Sequence, residues 1–188
     1  MNDNDSHRDG GNRLVMFAVI AIFLGGMLVA GALRFSGWQP SGMKNNGELL
    51  QPPTDLRGST PVLATGGEYA WNPAERRWRI LVAPPAGCAD ACVELARELD
   101  LVWRLFGTKA DEVDLLWLGA PPQGAIDNAA TRVLRRDPAL RAKLPGVDDP
   151  AGVPVYVIDP NGFVILRYAP GFDPGGLRAD VAKLLRLM

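Results

Sequence analysis

Two cysteines, Cys88 and Cys92, are the only thiols in the 188 residues, with Ala89, Asp90 and Ala91 between them. A pair at this spacing can close a disulfide, exchange electrons with a partner's thiols, or hold a soft metal ion through its thiolates. Little else in the chain does such chemistry. The single histidine, His7, lies near the N-terminus, which leaves no imidazole near the cysteines to act as base or ligand.

The residues around the pair define what must position it. Residues 78–83 (Trp-Arg-Ile-Leu-Val-Ala) form a short apolar run that ends at Pro84-Pro85, the pattern of a buried strand. Ala86-Gly87 make a turn. From 89 to 106 the apolar residues recur at steps of three and four, with Leu95, Leu99, Val102 and Phe106 continuing the stripe begun by the cysteines, which predicts a helix. Glu94, Arg97, Glu98, Asp100 and Arg104 fall on its outer face, and Gly107 suits a left-handed exit.

Cys88 therefore sits where a strand turns into a helix. Unpaired backbone N–H groups and the positive end of the helix dipole favour the thiolate there, so the Cys88 thiol is expected below its ordinary pKa and more reactive than Cys92. α-Carbons four apart in a helix are about 6 Å from each other, near the upper end of the disulfide range, so a bond requires some strain or a distorted first turn. Two structural alternatives stand beside the redox or metal reading. One is a static disulfide, which across so short a loop constrains little of the unfolded chain. The other is two free thiols packed as small apolar residues. Asp90 is either a local proton acceptor or an acid favoured by the start of the helix.

The flanking segments set the compartment and the fold. Residues 14–33 carry no charge and number the roughly 20 needed to cross a hydrocarbon core of about 30 Å, so they predict a membrane anchor. Ala30-Gly31-Ala32 resembles a signal-peptidase site, but the apolar run and its charged lead-in are long for a cleaved leader. A short tail at 1–13 before the anchor and a long remainder after it fit an N-in orientation with the C-terminal part exported. Residues 34–70, rich in Gly, Pro, Asn and Ser, read as a linker, and 71–188 as the folded domain. The chain's 20 basic and 21 acidic residues give a net charge of −1, with no basic excess to draw nucleic acid.

Within the domain, residues 113–118 predict a second strand. Ile126, Ala129, Ala130, Val133 and Leu134 suggest a second helix, stopped by Asp137-Pro138. Residues 155–158 and 163–168 are two strands joined by Asp159-Pro160-Asn161-Gly162, a strong hairpin signal. A last helix follows Asp173-Pro174, with Leu177, Val181, Leu184, Leu185 and Met188 on one face. The order strand, helix, strand, helix, strand, strand, helix gives a three-layer α/β fold with a mixed sheet. Pro154, just before a strand, is a candidate cis-proline facing the cysteine pair. Trp71, Trp78, Trp103 and Trp117 read as core or rim aromatics, and Asp148 and Asp149 as a solvated loop.

An anchor, a tether, the strand at 78–83, the Cys88/Cys92 pair and the late run Tyr156-Val157-Ile158-Asp159-Pro160-Asn161-Gly162 together resemble the Sco/SenC group of thioredoxin-fold proteins. The stretch Asn46-Gly47-Glu48-Leu49-Leu50-Gln51-Pro52-Pro53 is also similar to that of small anchored proteins found beside cytochrome oxidase genes. The resemblance implies a thioredoxin-like domain on the periplasmic face of a bacterial inner membrane. It also implies a role in cytochrome c oxidase assembly, by copper delivery or thiol reduction at the oxidase's copper centre. Oxidase subunits or other periplasmic thiol and copper proteins would be its partners. One departure matters. The family holds copper with two cysteines and a histidine before the late strand, and the matching run Asp149-Pro150-Ala151-Gly152-Val153-Pro154 has none. Ala89 also replaces a family proline. Cys88 and Cys92 alone suit Cu(I) and not Cu(II), which favours thiol exchange, with Cys88 as attacking and Cys92 as resolving thiol. A Cu(I) chaperone and a non-catalytic assembly scaffold are the alternatives.

Overall fold

A computed structural model describes residues 6–36, 45–125 and 128–187, in two compact units, 1–44 and 45–188. In the first, helix α1 runs Ser6–Phe35 and contains the apolar stretch Leu14–Leu33, mean hydropathy 2.6. Its large side chains, Phe17, Phe23, Met27 and Leu28 among them, are exposed. A 20-residue helix is about 30 Å long, so the stretch has the length and the surface of a membrane span.

The second unit is built on one six-stranded mixed sheet. The strands are β1 (Glu48–Asp55), β2 (Trp78–Val82), β3 (Val113–Leu118), β4 (Thr131–Leu134), β5 (Val155–Ile158) and β6 (Phe163–Tyr168), in the spatial order β1-β6-β5-β2-β3-β4. β2, β3 and β4 are parallel, while β5 runs antiparallel to both β2 and β6. Central strand β2 is buried along its whole length. Its side chains alternate between two cores, as the two-residue period of a strand requires. Trp78, Ile80 and Val82 face α2 (Asp90–Arg104) and α4 (Pro174–Leu184). Leu81 and Ala83 face the other layer, with Leu56, Tyr69, Leu140 and Leu144.

The three-layer expectation holds, and so does the hairpin. β5 and β6 pair antiparallel across residues 159–162, and Asp159 Oδ1 accepts from the Phe163 N–H at 2.8 Å. Gly162 is demanded twice over. Its φ is +98°, and a Cβ there would lie 2.9 Å from the Trp71 ring.

Several expectations are corrected. The segment read as a linker over 34–70 is, from residue 45 on, part of the folded domain. β1 pairs with β6, Leu56 is wholly buried, and Val62–Ala64 lie along the outer edge of β4, with Arg135 N–H donating to Val62 O at 2.7 Å. Pro52 and Pro53 disguise β1, but an edge strand tolerates them, and the register breaks between Leu49 and Thr54 where they fall. The helix expected through Val133 and Leu134 is the strand β4, paired in parallel with Leu115–Leu118. Pairing with β3 overrides a weak helical spacing, and the β-branched Thr131 and Val133 suit a strand. Ile126 lies outside the described residues. Asp137-Pro138 starts a helix instead of stopping one. The Asp137 carboxylate caps α3 (Pro138–Ala142) by accepting from Leu140 N–H.

The start of the domain is clamped by a buried carboxylate. Asp180 on α4 accepts from the backbone N–H of Asn46 (2.7 Å) and of Gly47 (3.0 Å), from Asn46 Nδ2 (3.1 Å) and from the Tyr168 hydroxyl (2.8 Å). Burial, reinforced by the Asp180 carboxylate, pushes the Tyr168 hydroxyl pKa far up, so this group stays a donor. A Cβ on Gly47 would meet the Tyr168 ring at 2.6 Å. Asp180→Ala orphans several donors and is expected to destabilise the domain by about 3 kcal/mol. Urea unfolding of the full chain in detergent measures that loss, and Asp180→Asn, which keeps an acceptor, should lose less.

Candidate functional site

β2 leaves the sheet at Val82, and the loop Ala83–Ala89 delivers the chain to α2. Prolines 84 and 85 lack backbone N–H groups and end the strand; Gly87, at φ +82°, makes the turn. Cys88 comes two residues before the helix, and Cys92 lies in its first turn. Their sulfurs are joined in a disulfide with the α-carbons 5.7 Å apart, well inside the usual range. α2 begins at Asp90, one residue later than expected, and the bond closes with Cys88 outside the helix, as the sequence placed it. Free buried thiols are thereby excluded for this state, since the described cysteines are both bonded.

The two sulfurs differ in access. Cys92 is fully buried in the α2–α4 core, while Cys88 is half-buried on its rim. No side chain caps α2, whose N-cap residue is Ala89. The Cys92 N–H donates to the Ala89 carbonyl at 3.0 Å, which leaves the N–H groups of Asp90 and Ala91 to solvent or to an anion beside them, such as a Cys88 thiolate after reduction. Asp90 is exposed at the helix start. An open groove of about 240 Å³ borders the loop, lined by Pro84, Pro85 and Ala86 with Leu118 and Arg136 opposite.

Pro154 reaches this corner, but not as expected. Val82 pairs with Val155, which sets Pro154 beside the exit of β2. The Val153–Pro154 bond is trans; among the described residues the cis bond is Gln51–Pro52. Trans is the lower-energy form of an X–Pro bond by about 0.5–1 kcal/mol. In the run 149–154, Asp149 is occupied. It accepts from Ala151 N–H (3.0 Å) and from Arg167 Nη2 (2.6 Å), and these two contacts hold its carboxyl below the usual range. Asp148 pairs with Arg141 at 2.6 Å. Among the described residues no group of three His, Cys, Asp or Glu is arranged to hold a metal. The donors that fit copper are the two sulfurs alone, once reduced, and a soft monovalent ion suits two thiolates.

Residues 78–188 match the family model for the transmembrane-like, thioredoxin-like, C-terminal domain. The chain belongs to this family. Its fold is shared with solved Sco proteins. Copper-bound yeast Sco1 superposes with a TM-score of 0.55 at 13% identity, covering 78% of this chain and 96% of that one. For copper-bound ScoI of Arabidopsis thaliana the values are 0.51 and 14%, covering 76% and 99%. For BsSco, a Sco-family cytochrome c oxidase assembly protein with a disulfide switch, they are 0.50 and 12%, covering 76% and 96%. At such identities the likeness is one of fold. No curated protein matches the chain.

The transmembrane-like, thioredoxin-like domain thus carries its cysteine pair at the strand-to-helix corner that sequence periodicity placed. Sequence reasoning missed the fate of Asp100, assigned to the solvent face but 6% exposed, where it binds Arg104 (2.8 Å) and Asn128 (2.6 Å). Nothing short of the tertiary packing of the loop at Asn128 signals that. The difference in access makes a direct prediction. In reduced single-cysteine variants, iodoacetamide should modify Cys88 (in Cys92→Ser) at least about tenfold faster than Cys92 (in Cys88→Ser), and down to lower pH. Mass spectrometry of quenched samples measures both rates; equal rates would remove the distinction between the two thiols.

Proposed function

We propose that this is a membrane-anchored thiol–disulfide exchange protein. Its thioredoxin-like domain faces the periplasm of a bacterial inner membrane and assists assembly of cytochrome c oxidase. The observation that carries the reading is the Cys88–Cys92 bond at the head of α2, with one sulfur at the rim and the other buried.

In the reduced protein, the Cys88 thiolate attacks one sulfur of a partner disulfide. A mixed disulfide forms and the partner's other sulfur leaves as thiolate. The Cys92 thiol gives up its proton and attacks Cys88 Sγ, which closes the internal bond and frees the second partner sulfur. The partner gains two electrons and this chain loses two; a dithiol donor on the same side of the membrane restores the pair. By the chain-entropy model, closing so short a loop contributes only about 2 kcal/mol to stability, so the fold should survive reduction. That suits a bond that cycles better than one that braces.

A second reading is supported by the same sulfurs and by the fold shared with copper-bound Sco proteins. The reduced pair would then carry Cu(I) as cargo for the oxidase copper centre.

The test uses Cys92→Ala in intact cells, where exchange should stall at the mixed disulfide. A covalent adduct trapped through Cys88, absent from Cys88→Ala and released by dithiothreitol, is the expected result. The reduced full chain, titrated anaerobically with Cu(I), should bind one ion only if the second reading holds, with binding lost in the double-serine variant. Absence of any adduct, together with full complementation of a deletion by Cys88→Ser/Cys92→Ser, would leave a scaffold and overturn both.

A further inference from the structure

Arg57, Arg97, Arg104 and Lys109 are exposed on the domain, and each pairs with a carboxylate. α4 and the turn that closes it are different. Leu177, Val181 and Leu185 face inward to the core. The outward positions are Gly175, Arg178, Ala179, Lys183, Arg186 and Leu187, three cations and no acid. None of the three cations is in an ion pair with a described residue. Arg186 reaches the Ala182 carbonyl of its own helix, at 3.2 Å. Leu187, next in the chain, is 75% exposed.

The acids of α4 are engaged elsewhere. Asp173 caps the helix, accepting from the N–H groups of Gly175 (2.9 Å) and Gly176 (3.0 Å). Asp180 is buried and holds the backbone of Asn46 and Gly47, near the start of the domain. α2, packed on the same core, presents a mixed face: Glu94 pairs with Arg97 and Asp100 with Arg104, while Asp90 and Glu98 stand outside ion pairs. It is α4 whose outer face has one sign. The chain also enters the domain at this helix. Residues 34–45 separate Asn46 from the apolar stretch Leu14–Leu33, and they carry Arg34 and Lys44 and no acid. At roughly 3.5 Å per residue that segment spans at most about 45 Å.

We propose that the outer face of α4 docks on anionic lipid headgroups of the membrane that holds α1, with Leu187 entering the interface. Each basic residue near an anionic surface shifts such an equilibrium about fivefold, and an exposed apolar side chain beside the cations adds to it. The short tether raises the effective concentration of the surface, so a few cations are enough to hold the face down. The proposal rests on the anchored reading of the chain and is independent of its thiol chemistry.

The test places the full chain, ¹⁵N-labelled, in nanodiscs that contain a trace of lipid with a gadolinium chelate on its headgroup. Amide broadening then reports which face lies near the lipid. In phosphatidylcholine discs doped with phosphatidylglycerol, the amides of Arg178, Lys183 and Leu187 should broaden at least about fivefold more than those of Val62–Ala64 along β4. The contrast should collapse in pure phosphatidylcholine, in high salt, and in Arg178→Gln/Lys183→Gln/Arg186→Gln. It should persist in Arg135→Gln/Arg136→Gln, which removes two exposed cations elsewhere. The salt arm uses the native chain, so a folding defect in a variant cannot mimic it. Equal broadening of α4 in charged and neutral discs, or broadening strongest on another face, would overturn the lipid assignment. A chain that does not stay with the disc would overturn the anchored reading and the proposal together, an outcome distinct from the first two.

Discussion

The domain depends on a central strand that is buried on both faces. Because β2 is flanked by β3 and β5 and sandwiched between two cores, each of its side chains has only one face to occupy. That constraint fixes the register of its neighbours, Val82 against Trp117 on one side and against Val155 on the other. It also fixes where the chain must leave the sheet. Pro84 and Pro85 end the strand at that point, and the distance from there to α2 is spanned by a loop too short to wander. Cys88 is held at the corner as a consequence of sheet geometry, with no contact that exists solely to hold it.

The same constraint explains the unequal cysteines. α2 packs on the face shared by Ile80, Val82 and Leu115, so its inward positions 92, 95, 99 and 102 are sealed. Cys92 belongs to that series and Cys88 precedes it. One sulfur is therefore a core residue and its partner an element of the rim, an asymmetry that exchange through a mixed disulfide needs. The segment before β2 makes its contribution on the opposite layer. The buried Arg79 guanidinium donates to the Tyr69 hydroxyl (3.0 Å) and to the carbonyls of Asp159 and Pro160, and Tyr69 in turn donates to Asp114 (2.7 Å). These bonds tie the chain after β1 and the β5–β6 hairpin to the central strands.

Where local pattern and tertiary demand agree, the reading from sequence and the fold coincide. The hairpin at Asp159–Gly162 is an instance: its turn residues and flanking strands point the same way. β4 is the opposite case. Its four residues carry a spacing compatible with a helix, and only the unpaired edge of β3 makes them a strand. β1 is hidden by two prolines that are harmless at a sheet edge. Asp180 reads as an ordinary polar position on a helix, and its role exists only because Asn46, Gly47 and Tyr168 converge on it.

By itself the sequence determined the membrane-length helix, the cysteine pair at a strand-to-helix junction, the late hairpin and the last helix. Each rests on composition or periodicity within a few residues of chain. Only the tertiary structure decided that the domain begins at residue 45, that the Val153–Pro154 bond is trans, and that Cys92 is sealed while Cys88 is not. Those outcomes depend on which distant segments compete for the same edge or face, and that competition is settled by packing across the whole sheet.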